Sequence, residues 1–94
     1  MSVRRKTVKS VKKLNLESGL IQNALAEVIN ELKDALKVYP RMVSPHEGYA
    51  IIKEEVDELW DEIKPKPSIR SNLRMREEAK QIAAMAIRFM IELT

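Results

Sequence analysis

Glu54, Glu55, Asp57, Glu58, Asp61 and Glu62 crowd their carboxylates into the stretch EEVDELWDE. A further glutamate, Glu78, stands on the next helical segment, with Gln81 three residues after it. Like charges one helical turn apart repel by a few tenths of a kcal/mol per pair. A helix built only for packing intersperses lysines at such positions. Two helices that each offer oxygen ligands at i and i+3 can instead converge on a divalent cation. Glu55 and Glu58 would come from one helix, Glu78 and Gln81 from the other. An all-oxygen set favours a hard ion. Mg²⁺ suits a few carboxylates plus retained waters and substrate phosphates, and Mn²⁺ also fits.

The positions of these groups follow from the helical period of about 100° per residue. On the segment from Pro45 to Ile63, the residues Tyr49, Ile52, Val56, Leu59, Trp60 and Ile63 share one face, read as the core stripe. Glu55, Glu58 and Glu62 form a row along its flank, while Glu54, Asp57 and Asp61 point further out. On the last segment Glu78 falls inside an apolar stripe, between the directions of Met85 and Phe89, and Gln81 lies just outside it. A glutamate aimed at a core is costly unless it is paired, protonated or bound to metal. The plainer reading makes the acid run a solvated face and gives Glu78 a salt bridge to Lys53 or to an arginine of its own helix. The coincidence of both helices favours the metal.

Three helices must position these groups. The first is expected from about Leu16 to Val38, carried by Ile21, Leu25, Val28, Ile29, Leu32 and Leu36 at helical spacing, with Asn15 or Ser18 as cap. Val8, Val11 and Leu14 leave open an extension of this helix into the preceding tail. Pro40 and Pro45 then break the chain. Ser44, Pro45 and Glu47 spell a capping box with proline in the first helical position, each of Ser44 and Glu47 bonding the other's amide. The second helix runs from Pro45 to about Ile63 and stops at Pro65 and Pro67. The third begins between Ser68 and Ser71 and reaches Leu93. Met75, Ala79, Ile82, Ala86, Phe89 and Leu93 form one stripe on it, and Leu73, Ala84, Ile87 and Ile91 lie opposite. A helix apolar on two sides is sandwiched, and the second side is expected to meet another subunit.

Composition bounds the answer. The 94 residues hold two glycines and no cysteine, with apolar content carried by Leu, Ile, Val, Ala and Met, so the chain leans all-α and excludes disulfides and thiolate metal sites. The expected fold is a compact bundle of three main helices completed by homo-oligomerisation, since bodies this small are marginal alone. No apolar run reaches the length of a membrane span, and the N-terminus lacks a signal-peptide core, so a cytoplasmic protein is expected. Residues 1–14 contain Arg4, Arg5, Lys6, Lys9, Lys12 and Lys13 and no acid, so the remainder carries about −3 of the net charge. The division is a basic tail, 1–14, and a helical domain, 15–94. The tail has no aromatic to stack on bases and no DNA-binding motif, so nucleic acid is not the expected partner.

Glu54-Glu55-Val56-Asp57-Glu58 matches E-E-x-x-E, and Glu78-Ala79-Lys80-Gln81 occupies the place of a following E-x-x-D. In this, the chain resembles the MazG-like, all-α nucleoside triphosphate pyrophosphohydrolases, over roughly residues 20 to 93. The resemblance implies a helical bundle that forms dimers or tetramers. It implies Mg²⁺-dependent cleavage of a nucleoside triphosphate to the monophosphate and pyrophosphate. Glu55, Glu58 and Glu78 would be metal ligands, and Glu54 would hold another ion or orient the attacking water. Gln81 departs from the family pattern, which has aspartate there; its carbonyl can ligate but brings no charge. The rival expectation is a non-catalytic oligomeric helical protein that keeps this scaffold and binds nucleotide.

Lys53, Lys80 and Arg88 are candidates to meet substrate phosphate, Arg88 with the alternative of pairing with Glu92 at i+4. Trp60 is expected in the core. His46 opens HEGYA, but Ala50 stands where a zinc protease needs its second histidine, so that chemistry is excluded. No E-x-x-H pair for a di-iron bundle and no glycine-rich phosphate loop occurs.

Overall fold

The computed structural model describes residues 18–94. They form α1 (Ser18–Val38), α2 (Pro45–Ile63) and α3 (Asn72–Leu93), with a 3-10 turn, Pro67–Ile69, ahead of α3 and no strand among the described residues. The cap expected at Asn15, and any continuation of α1 through Val8, Val11 and Leu14, lie outside the described residues.

The helix ends follow local chemistry. Ser44 Oγ accepts from the Glu47 amide at 3.2 Å, and Pro45 takes the first helical position of α2. The Glu47 carboxylate reaches one residue further back than expected. It accepts from the Val43 amide at 2.7 Å, across a Ser44 held extended at φ −152° and ψ 160°. At the other end of α2, Arg70 Nε donates to the carbonyls of Ile63 and Pro65 at 2.6 and 3.1 Å, satisfying acceptors that a helix terminus leaves free. Ser71 Oγ caps α3 through the Arg74 amide at 3.1 Å.

α3 is the central helix and packs on both others, which make little contact with each other. Glu27 pairs with Arg76 and Glu31 with Lys80, so α1 runs parallel to α3. Gly48 meets Phe89 while Glu62 meets Arg74, so α2 runs antiparallel. The α1–α2 connection must therefore cross the C-terminal end of α3, and a polar latch holds it there. Arg88, only 3% exposed, donates to the Pro40 carbonyl and to Glu92 Oε2. Glu92 Oε1 in turn accepts from the Met42 amide at 2.7 Å, and the Glu92 carbonyl accepts from Arg41. Burial alone would raise the Glu92 carboxyl, but the bonds from Arg88 and Met42 outweigh it and hold it below the ordinary range.

The core is small: Ala35, Ala84 and Met85, with Val28, Leu32, Ile51 and Ile52 packed around them, and a separate buried Met42 under the latch. Its position corrects the expected facing of the helices. On the side of α3 expected to meet another subunit, Ala84 is wholly buried in the same cluster as Ala35 of α1, while Leu73 and Ile91 stay exposed. On the other stripe Phe89 and Leu93 pack against Gly48, while Ala79 and Ala86 are exposed. On α2 the helix is rotated from the expected setting. Tyr49, Val56 and Trp60 are 65%, 45% and 58% exposed, while Gly48, Ile51, Ile52 and the Glu55–Glu58–Glu62 row are turned toward the bundle.

Gly48 permits that rotation. A Cβ there would lie 2.6 Å from Phe89 Cδ2 and 2.7 Å from Leu93 Cδ1, so the helices touch where α2 has no side chain. Gly48→Ala should lower stability by about 1–2 kcal/mol, overpacking outweighing the gain in helix propensity. Gly19, with nothing within 4 Å of its would-be Cβ, should gain up to about 1 kcal/mol on the same change. Chemical denaturation of both variants checks this; equal shifts would contradict the close approach.

Candidate metal centre

The antiparallel register of α2 on α3 sorts the acids one by one. Glu62 falls opposite Arg74 and pairs with it at 3.0 Å. Asp57 pairs with Lys53 at 3.0 Å and Asp61 with Lys64 at 2.9 Å, both on the outer side of α2. Glu58 falls opposite Glu78, where no cation waits. Glu54, Glu55, Glu58 and Glu78 form no ion pair among the described residues. Asp57, Asp61 and Glu62 are thus paired with cations, and Glu54, Glu55, Glu58 and Glu78 are not, among the described residues.

Glu55, Glu58 and Glu78 each bring a carboxylate oxygen to within 4.8 Å of the other two. All three are half-buried. Burial pushes the Glu55 carboxyl up to about 7, and the carboxylates of Glu58, Glu78 and Glu54 push the same way, Glu58 also through a shared hydrogen bond. Burial raises Glu78 too, again reinforced by Glu58 and by Glu62 and Glu77. Glu78 Oε2 is fully enclosed and has no hydrogen-bond partner among the described residues. An orphaned carboxylate oxygen costs free energy that a bound cation or proton removes. The salt bridge expected on the plainer reading, from Lys53 or an arginine of α3, is not formed. The donor set is all oxygen, which fits a hard divalent ion.

These acids line one side of a cleft of about 550 Å³ between the helices, within the usual range of small-molecule sites. Glu54 and Gln81 line it as well, so the structure brings together all five acid and amide positions singled out in the sequence. The phosphate candidates divide. Lys53 is exposed and committed to Asp57, on the far side of its helix. Lys80 pairs with Glu77 and reaches toward Glu31, in the separate groove between α1 and α3. Neither lines the cleft. Arg88 does, but as part of the latch, with its Nε on Glu92 and its charge 5.9 Å from the centre of the Tyr39 ring. His46 is exposed and outside the cleft.

Tyr39, Pro40 and Glu31 complete the wall, and sequence reasoning did not single them out. For Tyr39 and Pro40 the signal was indirect, a proline-containing connection that has to cross the end of another helix; Glu31, inside α1, carried none.

Compared with protein-family models, with curated proteins and with solved structures, the chain matches none. No helix among the described residues is long and apolar enough to cross a membrane.

The titration of Glu55 gives a signed prediction. Its folded pKa, about 7, lies above the ordinary value of 4.5. The stability it contributes is whole below the ordinary value and is lost as pH rises through the folded one. Without divalent cation, the melting temperature of the unmodified protein should fall from about pH 5 to pH 8 relative to Glu55→Gln, whose amide does not titrate. Saturating Mg²⁺ should reverse the fall. Parallel profiles for the two proteins would show that Glu55 titrates normally.

Proposed function

We propose that this chain is a Mg²⁺-dependent nucleoside triphosphate pyrophosphohydrolase of the MazG-like type. The observation that carries this reading is the meeting of Glu55, Glu58 and Glu78, without an ion pair among the described residues, in a cleft of small-molecule size. Their order and spacing are those that gave the family resemblance. Glu55, Glu58 and Glu78 would hold the ion, with the Gln81 carbonyl beside them. A divalent cation bound there supplies neutralisation of phosphate charge and a more acidic water.

The chain's own groups do the rest. Glu54 lines the same cleft without a cationic partner among the described residues and would hold a second ion or take a proton from the attacking water. Hydrolysis consumes that water and splits the bridge between the α- and β-phosphates. Arg88 presents positive charge at the cleft wall but cannot swing freely, because Glu92 and Pro40 hold it. Tyr39 is the one aromatic ring in the wall, and a nucleobase would stack there, with Mn²⁺ an alternative ion at the acids. The reading includes a cytoplasmic homodimer or homotetramer built from the domain 15–94.

Gln81 supports a second reading, an oligomeric helical protein that keeps the scaffold and binds nucleotide without cleaving it. An amide adds a ligand but no charge, so Mg²⁺ affinity is lower than with aspartate. The commitment of Lys53 and Lys80 to Asp57 and Glu77 points the same way, since both are then spent outside the cleft.

A nucleotide panel with Mg²⁺ or Mn²⁺, read by pyrophosphate release, separates the two. The enzyme reading expects turnover that Glu55→Gln reduces by on the order of a hundredfold or more and that Gln81→Asp raises. Nucleotide binding with no release in any metal, and none gained by Gln81→Asp, would establish the second reading instead.

A further inference from the structure

The cleft has two ends, and Glu55, Glu58 and Glu78 mark one of them. Arg88 lies ten positions after Glu78 on α3, and Glu47 eight positions before Glu55 on α2. The helices are antiparallel, so both stand in the same direction from the acids, about 15 and 12 Å along the helix axes. Gly48 packs on Phe89, so Glu47 and Arg88, the residues just before each, arrive at one level. Both line the cleft there, together with Tyr39. Tyr39 is 60% exposed, and Arg88 Cζ lies 5.9 Å from its ring centre, near the outer limit of a cation–π contact. The guanidinium therefore leaves ring surface uncovered.

An arginine carries five N–H donors, and Arg88 is buried. Its Nε donates to Glu92 Oε2 at 3.0 Å and its Nη2 to the Pro40 carbonyl. Its Nη1 meets only the Met85 sulfur, at 3.9 Å, and Met85 lines the cleft. Two of the five donors thus have no acceptor among the described residues, and a third has a weak one. A buried donor without an acceptor is costly, so this edge of the guanidinium calls for an oxygen or nitrogen from a ligand. Glu92 offsets the charge, so Arg88 offers the cleft donors more than net charge. Glu47 presents the complementary group. Its Oε1 accepts from the Val43 amide at 2.7 Å, and its Oε2 has no partner among the described residues.

We propose that Arg88 and Glu47 select the base of the nucleotide and that the base they select is guanine, which rests on the reading of the cleft as a nucleotide site but not on cleavage. A triphosphate held by an ion at the acids falls short of this end of the cleft, and a base carried beyond it on the ribose reaches Tyr39. Guanine offers the O6 and N7 acceptors to Arg88, the pairing that arginine makes best with any base. Its N1–H and exocyclic amine are donors on the neighbouring edge, where a carboxylate such as Glu47 accepts both. Adenine fails on both counts. Its amine stands where guanine has O6, donor against donor at Arg88, and its N1 is an acceptor that Glu47 repels. Uracil and thymine supply a carbonyl and one N–H, but a single ring covers less of Tyr39 and gives Glu47 one donor instead of two. A site whose polar groups are left unpaired by the wrong ligand discriminates more sharply than one that relies on shape.

Titration calorimetry of the full chain in Mg²⁺ tests this with the α,β-methylene analogues of GTP, ITP and ATP, which cannot be split between the α- and β-phosphates. The guanine analogue should bind on the order of tenfold to a hundredfold tighter than the adenine one. Hypoxanthine, which lacks only the exocyclic amine, should fall between them. Arg88→Lys, which loses the planar fork, should erase most of the preference for guanine over adenine. Glu47→Gln keeps an oxygen for the Val43 amide but turns an NH₂ toward the base. It should weaken guanine and strengthen adenine, a change of sign that loss of structure does not produce, and its exposed side chain keeps the test valid if Arg88→Lys does not fold. Equal binding of the guanine and adenine analogues overturns the proposal. So does a variant pair that weakens both analogues by one factor, because Arg88 then serves phosphate or the fold alone. Binding of no analogue removes the nucleotide reading and this proposal together. A guanine preference with no pyrophosphate released from GTP supports this proposal and establishes the binding protein over the enzyme.

Discussion

The contact of α2 on α3 at Gly48 is the constraint on which the rest of the structure depends. There the Phe89 ring and Leu93 lie where a side chain would otherwise stand, and the two helices come as close as backbone and ring allow. The contact sets both the rotation and the register of α2. The rotation brings Glu55, Glu58 and Glu62 into the bundle and turns Tyr49, Val56 and Trp60 out of it. The register sets Glu62 against Arg74 and Glu58 against Glu78. An acidic inner surface and an apolar outer one on the same helix are two results of one choice of angle.

That choice is unfavourable for an isolated, metal-free chain. Carboxylates that share a half-buried site are costly to ionise, and the raised titration of Glu55 and Glu78 expresses burial first and mutual repulsion second. Apolar side chains left in water forgo about 25 cal/mol per Å² each. The arrangement becomes favourable when something neutralises the acids and the exposed apolar side chains are covered. The latch at the far end of α3 works in the opposite sense. Arg88 and Glu92 are buried, paired and bonded to the crossing backbone at Pro40 and Met42, which keeps Tyr39 and Pro40 in the cleft wall whatever the acids hold.

Much of the molecule was legible in the sequence because it depends on local chemistry. Ser44-Pro45 opens α2 and Pro65 and Pro67 close it, since caps and prolines act within a few residues of themselves. Glu55, Glu58 and Glu78 were legible for a related reason: i and i+3 spacing on one helix, and a lone acid inside the apolar stripe of the other, need no tertiary knowledge. The facing of the helices was not. On a helical wheel the large side chains of Tyr49 and Trp60 pull the apolar centre of α2 toward themselves, whereas the true point of contact is a glycine, which carries no hydrophobic signal. Ala84 misled in the same way, reading as the centre of a second face when α1 lay ready to cover it. Glu31 and Tyr39 enter the cleft because α1 runs parallel to α3, as Glu27–Arg76 and Glu31–Lys80 pairing shows, and which residues then face each other across the bundle is invisible along the chain.

The central proposal is that three glutamates from two helices, in no ion pair among the described residues, hold a divalent ion in the space between them. Anomalous diffraction from crystals grown at neutral pH and saturated with Mn²⁺ tests it directly. The account predicts a peak in contact with Glu55, Glu58 and Glu78, with Glu78 Oε2 among the ligands. No peak in the cleft at saturation, or a lysine or arginine bonded to Glu78 in its place, would contradict it.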